Sequence, residues 1–223
     1  MLFEIVGYYG SGKSTICKEV CNAIGVSNCF MPEITYLKKN SQINKVFYRL
    51  KHFFVFLDKN NLEIVKKTMS NIEDKKIRRF AKNYFYLLCC FYYDVLKCNK
   101  LFSALSEGFI CLNWVIYKYS GNLSDYIYEQ KYFKQLINYT HFILLKTDFE
   151  SNYNHLLKRN SFNEKKNEAA KDFAQCNLFF EKEITRLKCS FTKLYNDYNP
   201  ENVDLSFLKR MTDKEDIKID NKL

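Results

Sequence analysis

Gly7, Gly12, Lys13 and Ser14 stand at the spacing G-x-x-x-x-G-K-[ST] within "GYYGSGKST". Triphosphate chemistry asks for these residue types in this order. Glycines let backbone N–H groups turn inward around phosphate oxygens. A lysine reaches the β- and γ-phosphates, and the hydroxyl after it ligates Mg²⁺. Gly10, Ser11 and Thr15 complete the loop, and Gly7, Gly10 and Gly12 are three of the chain's six glycines. The apolar run "LFEIV" precedes it and the helical "ICKEVCNAI" follows. That is the strand, loop and helix such a cradle requires, and the helix adds its positive N-terminal end. The segment is read as a site for a nucleoside triphosphate with magnesium.

Three further places carry charge where phosphoryl chemistry could use it. Glu33 lies in "MPEIT", just past a short second strand. Glu107 lies in "SALSEGF", where a strand runs into a turn at Gly108. Lys158, Arg159 and Lys165 lie in a basic stretch after "HFILLKTDFESNYNH". Signals of GTP-hydrolysing switches are missing: Leu105 stands where the Asp of D-x-x-G would fall, and Leu145 stands where the Asn of N-K-x-D would.

Together these four places resemble the nucleoside and nucleotide kinase group of P-loop proteins, across most of residues 1–190. The resemblance implies a three-layer α/β fold with about five mainly parallel strands flanked by helices, and a helical insertion between strands two and three. It implies an ATP-dependent kinase acting on a hydroxyl of a nucleoside, nucleotide or sugar-type metabolite, with ATP and Mg²⁺. Lys13 and the loop hold the phosphates, and Ser14 and Glu107 organise Mg²⁺. Glu33 takes the acceptor hydroxyl's proton, and Arg159, with Lys158 or Lys165, closes over the transferring group as a lid at 158–166. Three departures bear on the acceptor rather than on the loop. Ser106 replaces the Asp that many relatives carry, no Arg follows Glu107, and Pro32 precedes Glu33 instead of following it. A nucleotide-binding regulatory protein with little turnover is the alternative that Ser106 favours. A nucleic-acid end kinase has only the basic charge behind it, so nucleic acid is not the expected partner.

Other groups are weighed against plainer roles. Arg78 and Arg79 could meet an acceptor phosphate but read better as a solvated face. Tyr86 or Tyr93 could line an acceptor pocket, although core packing is favoured. Trp114, the sole tryptophan, could sit beside the substrate or in the core. His52, His141 and His155 are too scattered to form a ligand set.

The elements that must position these residues follow from periodicity. Residues 2–6, 28–34, 100–109 and 141–148 read as strands. Helical pattern runs through 13–24, about 41–98, 110–119, 123–139, 150–159 and about 20 residues from Glu168. This alternation is that of a parallel α/β sheet. A single domain over 1–223 is expected, with a fraying tail at 213–223.

The chain has 223 residues, of which 47% are hydrophobic and 17% aromatic, enough for a core without staples. The formal charge of +10 is mostly lysine amid abundant Asn, Ile and Phe. That is a compositional bias more than a binding signal. Nine cysteines include no C-x-x-C pair and read as buried, reduced thiols, with a zinc site or a disulfide set as the alternative. Glu4 interrupts the first apolar run, so no secretory signal is read. "YFYLLCCFYYDVL" is too short and polar-rimmed to span a bilayer. A soluble cytoplasmic protein is expected; the oligomeric state is not read from sequence.

Overall fold

The computed structural model describes residues 1–25, 29–32, 48, 50, 52–121, 125–158, 165–196, 198 and 204–212. Strand β1 (Leu2–Val6) is buried along its whole length. It is the central strand of a five-stranded sheet of order β2-β3-β1-β4-β5. The others are β2 (Cys29–Phe30), β3 (Phe102–Leu105), β4 (Thr140–Lys146) and β5 (Ser190–Tyr195). Every pairing is parallel, with Glu4 opposite Leu105 on one side and Phe142 on the other. Buried on both faces, β1, β3 and β4 are the near-continuous apolar runs that the sequence announces. β5 is different: it lies at the edge, is mostly exposed and has no such run.

The helices are α1 (Lys13–Ile24), α2 (Phe53–Leu57), α3 (Lys59–Met69), α4 (Lys75–Lys97), α5 (Phe109–Ser120), α6 (Lys131–Leu136), α7 (Phe149–Leu157), α8 (Lys166–Arg186) and α9 (Ser206–Thr212). The chain leaves β1 toward one edge of the sheet and makes its later crossovers toward the other. Right-handed crossovers therefore put α1 on one face and the helices that connect β2 to β3, β3 to β4 and β4 to β5 on the opposite face. The core divides accordingly. Phe3, Ile5, Ala104, Ile143 and Leu145 pack with Ile16 and Val20 of α1 and Phe207 and Leu208 of α9. Leu2, Val6, Leu105, Phe142 and Leu144 pack with Phe85, Phe109 and Phe180 from the other helices. This is the three-layer arrangement expected, with the helical insertion between β2 and β3 in place.

The long helix α4 starts at Asp74, whose carboxylate accepts from the N–H groups of Lys76 and Ile77 at 2.7 and 3.1 Å. Its apolar middle, including Phe85, Leu88, Cys89 and Tyr92, is buried, as its pattern predicts. One helix expected from sequence, 123–139, is instead broken. Asp125–Glu129 and Ile137–Tyr139 are 3₁₀ turns on either side of α6. Gln130 causes the break: its backbone is extended, and its side chain accepts from Phe133 N at 2.9 Å while donating to Asn61 at 3.3 Å. The cysteine reading also needs one correction. Cys21 and Cys29 are disulfide-linked, with their Cα atoms 5.4 Å apart, while the other seven cysteines form no disulfide. Among the described residues, no helix is long and apolar enough to cross a membrane.

Candidate functional site

In a parallel sheet, sites form beyond the carboxyl ends of the strands, where neighbouring connections diverge to opposite faces. Here that place lies between β1 and β3. The loop leaving β1 carries Gly7 to Gly12, and the turn leaving β3 carries Ser106, Glu107 and Gly108.

The loop is held open from both flanks. Gly10 packs against Leu156 of α7, and Asn152 of α7 donates to the Tyr9 carbonyl at 3.2 Å. Beyond β5, Asn196 donates to the Ser11 carbonyl at 2.8 Å, while its own N–H returns to Lys146 O at 2.8 Å. Gly12 has φ +87, a left-handed conformation that a side chain would strain. It begins α1, which has no side-chain cap and no acid in its first turn. The leading N–H groups of α1 are therefore left to an anion or to water. Ser11 Oγ is buried without a hydrogen-bond partner. Ser14 and Thr15 are exposed at the start of the helix. An orphaned hydroxyl, an uncapped helix and a lysine together fit a phosphate chain.

Lys13 is buried, and its ammonium donates to Gly7 O at 3.0 Å and Tyr8 O at 2.9 Å. Glu107 Oε1 lies 3.3 Å from the same nitrogen. Burial is the largest single influence and works to lower the lysine's pKa, but the opposing groups, Glu107 foremost, together outweigh it and the net shift is upward, so the ammonium stays charged. Glu107 Oε2 accepts from the Tyr84 hydroxyl at 2.8 Å, which aims the carboxylate from α4.

Beside this pair opens a cleft of about 630 Å³ between the loop, α4, α5 and α8. Phe80, Tyr84, Trp114, Tyr119 and Phe180 form much of its wall, with Lys76 also lining it. Its polar corner is Asp172 of α8, whose Oδ2 takes the Tyr8 hydroxyl at 3.0 Å and the Lys118 ammonium at 2.9 Å. Flat apolar walls with a few charged groups suit a small organic ligand with a ring.

The sequence-derived residues divide as follows. Gly7, Gly10, Ser11, Gly12, Lys13, Ser14 and Thr15 form one loop and helix start, and Glu107 joins them across the sheet. Glu33 and Arg159 lie outside the described residues. Lys158, at the end of α7, and Lys165, before α8, are exposed. Arg78 and Arg79 do not line the cleft; Arg78 donates to Glu73 O at 3.5 Å. Tyr86 is a core residue, and Tyr93 packs on Tyr132 and Phe54. Trp114 does line the cleft. The histidines remain apart, and among the described residues no group of three or more His, Cys, Asp or Glu could hold a metal ion. Sequence reasoning missed Tyr84, Lys118 and Asp172. The signal available for Tyr84 was its position seven residues after Ile77 on the cleft side of α4.

No protein-family model matches the chain, and no curated protein matches it. Among solved structures it is similar to a deoxyadenosine kinase from M. mycoides with bound dCTP. The identity is 13%, with 97% of this chain and 99% of that chain covered, at a TM-score of 0.47. It is also similar to a thymidylate kinase from Ehrlichia chaffeensis. There the identity is 11%, with 98% of each chain covered, at a TM-score of 0.43.

Proposed function

We propose that the protein is an ATP-dependent kinase that transfers the γ-phosphoryl group to a hydroxyl of a small, ring-bearing metabolite held in the aromatic cleft. The observation that carries this reading is the Lys13–Glu107 pair, which joins the glycine loop to that cleft at 3.3 Å. Loop N–H groups, the start of α1 and Lys13 bind the triphosphate. Ser14 and Glu107 would hold Mg²⁺, which supplies neutralising charge on the phosphates when bound. Aromatic walls exclude water and orient the acceptor. The acceptor oxygen forms a bond to the γ-phosphorus while the bond from that phosphorus to the β,γ-bridging oxygen breaks and ADP departs. The hydroxyl proton passes to Glu33, and Arg159 neutralises the charge on the transferring group.

A second reading is a nucleotide-binding regulator with little turnover. Ser106, buried at the end of β3, favours it, because an acid is missing there.

The test is transfer of radiolabelled phosphoryl from ATP to a panel of nucleosides, nucleotides and sugars. Turnover is expected with at least one acceptor. Lys13→Ala should abolish it together with triphosphate affinity, and Glu33→Gln should lower it by about a hundredfold or more with affinity kept. Tight ATP binding with no acceptor used would replace the kinase reading by the second one.

A further inference from the structure

Glu4 is a carboxylate with no exposed surface on the central strand of the sheet. Such a position normally takes an apolar residue, because removing a charge from water is unfavourable unless other groups replace the water. At one oxygen of the carboxylate that replacement is a phenol. Tyr92 of α4 donates its hydroxyl to Glu4 Oε2. The Tyr92 ring also stacks on Phe109, the first residue of α5. Burial, followed by the Glu4 charge, pushes the Tyr92 pKa well up, so the phenol keeps the proton it donates. Tyr92 thus ties Glu4 to the start of α5.

The carboxylate also packs directly against Gly108. A Cβ there would overlap all three terminal atoms of Glu4, so the glycine is demanded by close approach and not by its backbone angles. Gly108 caps α5 without a side-chain hydrogen bond, and no acid lies in the first turn of that helix. Glu4 supplies the negative charge that this end of the helix favours, from another strand. Glu107 is the residue immediately before Gly108. Pairing of Glu4 with Leu105 in the sheet sets the carboxylate beneath that turn.

We infer that Glu4 is a positioning residue: with Tyr92 it holds the Glu107–Gly108 turn, and so sets Glu107 against Lys13 and the cleft. This role rests on the kinase reading, but the turn itself can be measured without turnover.

The experiment compares wild type, Glu4→Gln, Tyr92→Phe and the double variant of the full chain. Tyr92→Phe keeps the ring stacked on Phe109 at 4.9 Å, so it serves if Glu4→Gln does not fold. Hydrogen exchange followed by mass spectrometry should show residues 107–112 exchanging about fivefold faster or more in each single variant. The double variant should be no faster than the faster single, and β4 and α8 should be unchanged. In the transfer assay, kcat should fall about tenfold while the KM for ATP stays within about twofold. Unchanged exchange at 107–112, or an equal rise throughout the core, overturns the inference. So does a wild-type kcat in both variants. If the wild type turns over no acceptor, the kinase reading fails by itself, and the exchange arm still decides whether Glu4 holds the turn.

Discussion

Removing the charge of Glu107 should tighten, not weaken, metal-free triphosphate binding. Glu107 Oε1 is 3.3 Å from the Lys13 ammonium. At an effective dielectric of about 20, that separation corresponds to about 5 kcal/mol of attraction. Glu107 is 39% exposed, so water and salt screen much of it. A net contribution of about 1 kcal/mol is the appropriate scale for such a half-solvated pair. A phosphate chain entering the loop competes with Glu107 for the same ammonium and is repelled by the carboxylate. Glu107→Gln keeps the shape and the acceptor for Tyr84 but removes both effects. ATP should then bind about fivefold more tightly in EDTA, by conversion of that energy. With Mg²⁺ the gain should vanish and turnover should fall, since Glu107 is proposed to help hold the ion. Isothermal titration calorimetry at low salt, with and without Mg²⁺, measures both arms. A weaker or unchanged affinity in EDTA would refute the competition argument. A gain that survives saturating Mg²⁺ would remove Glu107 from the metal site.

Two other outcomes follow from the same geometry. Gly12→Ala should cost about 1–2 kcal/mol, from the left-handed backbone at φ +87. It should also displace Asn196, whose amide nitrogen lies 2.6 Å from the added methyl; urea midpoints and ATP affinity should fall together, and a neutral result would show that the loop relaxes freely. Burial lowers the pKa of His141 from 6.5 to about 4, with its ring nitrogens against Ser190 Oγ and Thr192 Oγ1. The folded state holds the neutral ring, so its stability is fully present above about pH 6.5 and is lost as pH falls toward 4. Urea midpoints measured between pH 7.5 and 4 should decline less steeply in His141→Gln, and an identical slope would assign the decline to other groups.

The glycine loop was legible in the sequence because its function is local: consecutive backbone groups and one following lysine make the phosphate cradle, and spacing along the chain is spacing in space. Strands β1, β3 and β4 were legible because both of their faces are buried and the whole run must be apolar. β5 was not placed, since an edge strand needs no apolar run, and residues such as Ser190, Lys193 and Tyr195 face water. The break at Gln130 depended on a tertiary partner, Asn61, that no local pattern announces. Glu107 stood out in sequence, but only the register of β3 beside β1 set it against Lys13. Tyr84, Lys118 and Asp172 come from three different helices, so their meeting in one cleft is a property of packing alone. Glu4 makes the same point most sharply: along the chain it is a charge interrupting an apolar run, and only the fold puts Tyr92, Gly108 and the start of α5 around it. Local chemistry is written in adjacent residues; long-range electrostatics exists only once the sheet and its covering helices have closed.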